Sequence, residues 1–458
     1  MAINYTDSDK AKFMTGQYVK EIKLYFPYKS LTILNDEIYA ESLSLEESIF
    51  DGNGELSIVG CISNRFSIEI RNQGVQLKNE SIQVSIRIDG GNWYRLFTGY
   101  VDSVETVRDR SYQKLQCYDV LYKYQDKNFF DTYDHLNFPT TIYNLRNALC
   151  NFMGISQQQT TLVNDSYQIP KMIDGGEIAV IDALRAICQI NGVFGKVDNL
   201  GVLHYVDLSI PSGYLPYPSD DLFPASDLYP SNSEQETIYI DSYRNVAFED
   251  YDVAEITEVT VREGANDTEY GHAGTIGNAL LIEGNMWTQG LTENVKDGIA
   301  QNLLDKVKYT VYQPFEATSV GLPFVECGDA IAYYVYDYSS GSPVTHVMGF
   351  SVMTRYLKGI QWMTDTFSAN GLEYQPEVKP VQNDTTSQEI TNIENNLSSV
   401  QTSVTNLESD KQDKLTAGTG ISINSNTISV TNPNYISQTD LTPGSSSLAT
   451  NTVYLVYE

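Results

Sequence analysis

The chain has 458 residues, more than one hydrophobic core usually organises, so about three domains are expected. Its formal charge of -30, from 59 acidic against 29 basic residues, argues against any sequence-independent grip on phosphates or anionic lipid, which needs clustered Lys and Arg. Single, widely spaced cysteines at 61, 117, 150, 188 and 327 make no CxxC pair and have no accompanying His spacing, so buried reduced thiols are expected rather than zinc. The start, "MAINYTDSDKAKF", lacks the apolar core of a signal peptide, and no segment approaches the ~20 apolar residues of a membrane span. A chain made soluble in a cytoplasm is expected. Its 33 tyrosines, with abundant Asn, Ser, Thr and Gly, give a polar, β-prone composition suited to extended assemblies as much as to enzymes.

From Tyr18 to Phe130 the sequence alternates as an antiparallel β domain would. "YVKEIKLYF", "SLSLEESI", "ELSIVG", "RFSIEIRN", "SIQVSIRI", "WYRLFTGYVDSVE" and "QKLQCYDVLY" read as strands, parted by turn signals at Asp51-Gly52-Asn53-Gly54 and Asp89-Gly90-Gly91. That spacing favours a barrel or sandwich over residues 1–130. A mixed α/β segment follows over 131–236. "TTIYNLRNALCNFMGI" places Ile142, Leu145, Leu149 and Phe152 on one helical face, and "AVIDALRAICQINGVFG" does so with Val180, Leu184 and Ile187. Each of these helices stops near a glycine, and "KVDNLGVLHYVDL" then reads as strands. Tyr217-Pro218, Phe223-Pro224 and Tyr229-Pro230 recur every six residues, a proline density no central strand tolerates; an ordered surface excursion or a partner-docking strip fits.

A second β region is expected over 237–378, interrupted by one helix, "ENVKDGIAQNLLDKV", in which Val295, Ile299, Leu303 and Val307 share a face. A proline-containing polar linker occupies 379–388. Over 389–414, Ile390, Ile393, Leu397, Val400, Val404 and Leu407 alternate at intervals of three and four, which is a heptad seam. β-Branched residues at both a and d sites favour trimers over dimers. Three heptads alone are marginal in water, so such a coil relies on chains held together elsewhere; a lone amphipathic helix packed on its own domain is the alternative. Residues 415–458 read as a short polar β segment. The expected fold class is therefore mainly β with α/β insertions, followed by a coiled coil.

Motifs for chemistry are sparse. HExxH, GxSxG and P-loop patterns do not occur. Asp51-Gly52-Asn53-Gly54-Glu55 opens like a calcium loop, but Leu56 stands where the glycine is required and Ile62 where the closing Glu is required, so a hairpin turn is expected. His135, His204, His272 and His346 lack metal-ligand spacing. Carboxylate pairs carry no weight among so many acids. No catalytic residue, cofactor site or metal site is assigned, and no enzyme is expected.

The runs "SLSLEESIFDGNGELSIVGCISNRFSIEIRN", "LFTGYVDSVETVRDRSYQKLQCYDVLYKYQ", "LRNALCNFMGI" and "ALRAICQINGVFGKVDNLGVLHYVDL", in this order, resemble the baseplate hub or tail-tip (tail-associated) proteins of tailed bacteriophages. "PFVECGDAIAY" resembles a strand turn of that family's second barrel, and the likeness spans residues 18 to 375. "KLTAGTGISINSNTISV" is similar to a repeat of phage tail fibres that usually follows a coil. The resemblance implies two hub-type β-barrels per chain and a homotrimer, held at its coil by Ile390, Ile393, Leu397, Val400, Val404 and Leu407. It implies a distal-tail or tail-tube partner on the hexameric side, a fibre, spike or receptor-binding protein on the threefold side, and contact with a tape-measure protein. Sequence-specific nucleic-acid binding and a membrane span are not expected; the virion tail tip, after assembly in the host cytoplasm, is. A hub-borne cell-wall hydrolase and the hub of a contractile particle remain open, although no endopeptidase or muramidase segment separates the second β region from the coil.

Overall fold

The computed structural model describes residues 5–16, 18–49, 60–131, 136–171, 178–207, 238–240, 243–251, 253–308, 310, 312, 314–337, 342–373, 421–424 and 427–430. The chain divides into two compact units, Met1–Pro376 and Glu377–Glu458. The aromatic-proline repeat, the Asp51–Glu55 turn, the linker and the heptad seam lie outside the described residues.

The fold is mainly β, as composition and alternation lead one to expect. In the first unit eleven strands form one sheet in the order Tyr243–Phe248, Phe315–Val320, Thr364–Ala369, Thr354–Lys358, Ser44–Ser48, Arg65–Arg71, Tyr112–Tyr118, Tyr94–Val107, Ser81–Ile88, Lys20–Phe26, Leu31–Leu34. Each neighbouring pair is antiparallel. The first seven-strand contribution comes from the early β region and the other four strands from the late one. They meet where Thr354–Lys358 lies on Ser44–Ser48, with Arg355 opposite Glu47 and Leu357 opposite Leu45. A bridge between Ile38 and Ile70 brings the chain beyond the Leu31–Leu34 edge back onto the Arg65–Arg71 strand.

Alternation decides which face each strand buries. Ile22, Leu24 and Phe26, then Phe66, Ile68 and Ile70, then Ile82, Val84 and Ile86 all point into one core and are fully buried. Helix α1 (Asp7–Thr15) begins where the Thr6 hydroxyl accepts the Asp9 amide at 3.2 Å, and ends at Gly16, whose φ is +67°. It buries only Phe13, so it shows almost no apolar periodicity in the sequence. Helix α2 (Ile142–Met153) buries Ile142, Leu145 and Leu149 as its spacing predicts, while Phe152 is half-buried. Helix α3 (Val180–Ile190) packs on the short Phe194–Val197/Leu203–Val206 hairpin, and Trp287 of the late β region caps it by donating its indole N–H to the Ala183 carbonyl at 2.9 Å.

Helix α4 (Glu293–Val307) covers a second, three-stranded sheet of Glu258–Arg262, Gly271–Gly274 and Ala279–Glu283. Ile299, Leu303, Leu304 and Val307 are buried; Leu304 lies beside Gly274 of the sheet, and Leu303 and Val307 lie beside Gly192. In the second unit Ile421–Asn424 pairs antiparallel with Thr427–Val430, in agreement with a β segment there. Among the described residues no helix is long and apolar enough to cross a membrane.

The approach of α4 to its sheet depends on Gly271. A Cβ at that position would lie 2.2 Å from the Lys296 backbone carbon and 2.5 Å from its oxygen, neither of which can swing away. Gly271→Ala is therefore expected to lower unfolding stability by about 1–3 kcal/mol, the usual cost of overpacking. Denaturant titration of the variant beside the parent checks this; an unchanged midpoint would show that the helix does not sit so close.

Candidate functional site

Charged side chains in the buried phase of the strands mark the most unusual chemistry of the molecule. On "SLEES" Leu45 and Glu47 share the inward face; on "TRYLK" Arg355 and Leu357 do; on "TDTFSA" Asp365, Phe367 and Ala369 do. Taking an ion out of water is costly unless it meets its counter-charge with good geometry. Here it does. Arg355 donates from Nε to Asp365 Oδ1 at 3.0 Å, from Nη2 to Asp365 Oδ2 at 3.0 Å, and from Nη1 to Glu47 Oε2 at 3.0 Å. Its Nη2 also donates to the Leu322 carbonyl at 3.1 Å, and the Leu322 amide donates back to Asp365 Oδ2 at 3.1 Å. Burial alone would drive the guanidinium toward its neutral form, but Asp365 and Glu47 outweigh it and hold Arg355 charged.

A second buried cation grips the same loop from the other side. Lys196, on the Phe194–Val197 strand, donates to Glu326 Oε2 at 2.9 Å and to the Cys327 carbonyl at 3.1 Å. Burial again opposes its charge, and Glu326 and Glu47 outweigh that effect and raise its pKa. Asp329 accepts the Glu326 amide at 2.8 Å, and burial pushes its carboxyl up to about 6. Tyr5 donates to the Pro323 carbonyl at 3.3 Å. Residues 322–329, which contain the "PFVECGD" stretch of the sequence resemblance at 323–329, are thus held by side chains from the N-terminus, the mixed segment and the late β region. The arrangement is a clamp: its chemistry is positioning.

Smaller networks work the same way. Arg146 on α2 donates to Asp165 at 2.9 and 2.7 Å and to Gln157 at 2.8 Å, and the Tyr205 hydroxyl donates to Gln157 at 2.6 Å. Asp119 accepts the Ser63 hydroxyl at 2.7 Å and the Asn64 and Leu121 amides at 2.7 and 3.0 Å, and among the described residues no cation bonds to it. Burial, only partly offset by those bonds, pushes its carboxyl up to about 7.

Two of the histidines, His204 and His272, each sit beside a carboxylate. His204 sits 2.9 Å from Asp198, whose carboxyl stays below its ordinary range because hydrogen bonds from His204 and the Val202 and Leu200 amides outweigh its burial. His272 is exposed and 3.1 Å from Glu258. All five cysteines are free thiols and buried, as expected. Cys61 and Cys188 lie 3.6 Å apart, a proximity their spacing of 127 residues does not reveal. Among the described residues no three of His, Cys, Asp and Glu converge as a metal site. The seam residues Ile390, Ile393, Leu397, Val400, Val404 and Leu407 lie outside the described residues, so the structure neither joins nor separates them.

No protein-family model and no curated protein matches the chain. Among solved structures it is similar to the 43 kDa tail protein of prophage MuSo2 from Shewanella oneidensis, at 13% identity and a TM-score of 0.45, over 77% of this chain and 98% of that one. It is also similar to a tail protein from Neisseria meningitidis MC58, at 12% identity and a TM-score of 0.45, over 77% and 97% of the two chains. A third is the prophage tail protein gp18 from Listeria monocytogenes EGD-e, at 10% identity and a TM-score of 0.41, over 76% and 94%. All three are tail proteins.

Two expectations follow from the buried charges. Arg355→Met leaves Glu47 and Asp365 buried without a counter-charge, so unfolding stability should fall by roughly 3–5 kcal/mol; a loss below about 1 kcal/mol in denaturant titration would contradict the clamp. The second concerns pH. Asp119 and Asp329 have folded pKa values raised above the 3.8 of a free carboxyl, so the stability tied to their protonation is full below that value. It is lost as pH rises through about 6 for Asp329 and about 7 for Asp119. The denaturation midpoint should therefore fall from pH 5 to pH 8, less steeply in Asp119→Asn; a midpoint rising over that range would overturn the assignment.

Proposed function

We propose that the chain is a structural tail-tip protein of a bacteriophage: a trimeric hub that closes the tail tube and carries distal fibre or receptor-binding components during host attachment and genome delivery. The observation that carries this reading is the continuous sheet. Glu47 and Arg355 are 308 positions apart in sequence, yet they are cross-strand partners in one sheet and share a buried ion pair. An adaptor that must transmit load between a tube and a fibre needs its two β regions fixed to each other, and a shared sheet fixes them. The ordered resemblance to hub proteins over residues 18 to 375 and the tail-protein neighbours are consistent with it.

The C-terminal unit fits the same role. Its heptad seam is β-branched at a and d positions, which favours three chains, and beyond it stands the Ile421–Val430 hairpin, within the stretch similar to fibre repeats. A cyclic trimer built from two related β regions per chain would offer six similar edges to a hexameric tube and three to a fibre. The partners that follow are a tail-tube or distal-tail protein on one side, a fibre or spike on the other, and the tape-measure protein; the place is the virion. The charge of -30 suits a protein past which DNA must slide without sticking.

Light scattering on the purified chain at micromolar concentration tests the reading. A mass near three chains is expected, and Leu397→Asp with Val404→Asp should abolish the coil's contribution to it, since unpaired charges on a threefold seam are costly. A stable monomer would contradict both the hub and the coil.

A further inference from the structure

The turn joining the Thr354–Lys358 and Thr364–Ala369 strands displays a tryptophan. Trp362 is 72% exposed, whereas Trp287 is 1% exposed and Trp93 is covered by the cationic side chains of Lys23 and Arg87. An exposed indole on a loose loop would be unremarkable. This loop is not loose. Glu41 accepts the Gln361 amide at 2.9 Å and the Ile360 and Trp362 amides at 3.3 Å each, gathering three successive N–H groups onto one carboxylate. Lys20, only 8% exposed, donates to the Gln361 carbonyl at 3.1 Å and lies 4.4 Å over the Tyr18 ring. Gly359, at φ +82°, leaves the room for this grip, because a Cβ there would be 2.4 Å from Glu41 Oε2. Glu41 itself holds a left-handed backbone, φ 62°, which a non-glycine residue adopts at a cost. A strained residue, a buried cation and three hydrogen bonds from backbone N–H groups together fix the backbone that presents one apolar ring to solvent.

Such a ring is the kind of group that anchors protein interfaces, and fixing it beforehand removes the ordering cost of docking. Charge decides which partner fits. The chain has about two acids per base, yet the charged groups bonded into this corner balance: Lys20 and Glu41 grip the turn, and Lys12 pairs with Asp89, which exchanges backbone and side-chain hydrogen bonds with Val19. Val19, 68% exposed, adds apolar surface beside Lys20. A basic partner would be drawn to the acid-rich surface instead. A second copy with the same charge of -30 can approach closely only where the charge is compensated.

We propose that Trp362 is the anchor by which each Met1–Pro376 unit docks on the next copy of the chain, in a head-to-tail contact that a threefold ring closes. This rests on the trimeric reading above. The coil proposed above and this contact would support each other, because each raises the effective concentration at which the other forms.

The test is acrylamide quenching of tryptophan fluorescence in the full chain, with Trp362→Phe isolating the Trp362 signal and light scattering run on the same samples. In the trimer, Trp362 is expected to be shielded; on dilution to monomer it becomes freely quenched. Trp362→Ala should weaken association roughly tenfold or more at an unchanged melting temperature, and Glu41→Gln should weaken it less. A trimer in which Trp362 stays as accessible as in the monomer overturns the proposal while leaving the hub reading intact, as does an unchanged dissociation constant for Trp362→Ala. Shielding that appears only in whole tail particles overturns it in favour of a different tail protein. A chain that never associates removes the hub reading together with the proposal.

Discussion

Everything in the first unit depends on one ion cluster, Arg355 with Asp365 and Glu47. The guanidinium joins the last two strands of the late β region to a strand of the early one, at the position where the eleven-stranded sheet passes between them. Backbone pairing alone would join the two regions through a strand of five residues. The buried charges make that junction selective, because slipping it by one residue would put Glu47 on the opposite face from Arg355 and break their ion pair. Lys196 extends the same logic to the mixed segment, so the hairpin after α3 cannot leave without exposing an unpaired charge in the core.

This explains how the long, polar Met1–Pro376 stretch holds together as one compact unit. Separate domains joined by linkers move relative to each other unless the interface between them is extensive. Here the interface is a sheet with a salt-bridge cluster inside it. Trp287, which donates to the Ala183 carbonyl of α3 at 2.9 Å, and Asn285, which donates to the Ala186 carbonyl at 2.8 Å, add a second tie between the late β region and the mixed segment. For the tube-to-fibre adaptor proposed above, rigidity of this kind would be the functional property.

Much of this architecture was legible in the sequence. Most strands from Lys20 to Tyr118 follow alternation, and α2, α3 and α4 follow helical spacing, so periodicity placed them; Leu31–Leu34, which buries only Ile33, was not among the runs that alternation marked. Helix α1 was not legible because it buries Phe13 alone. The junction of the two β regions was hidden for a different reason: pairing across 308 positions leaves no local trace. One trace did exist. Glu47, Arg355 and Asp365 occupy the apolar phase of their strands, and charged residues in that phase signal a buried pair, although which partners meet is decided only by the fold. The Glu41 grip on the Trp362 turn was likewise invisible, since Lys20 and Glu41 come from one end of the unit and Gly359–Trp362 from the other.

The central claim is that this chain is the rigid hub at the end of a phage tail. Immunogold labelling of intact particles with antibody raised against the Met1–Pro376 unit, imaged by negative-stain electron microscopy, tests it most directly. The account predicts label confined to the distal tip of the tail, and loss of tip and fibres together when the gene is deleted. Label distributed along the tube, or absent from the particle, would contradict it.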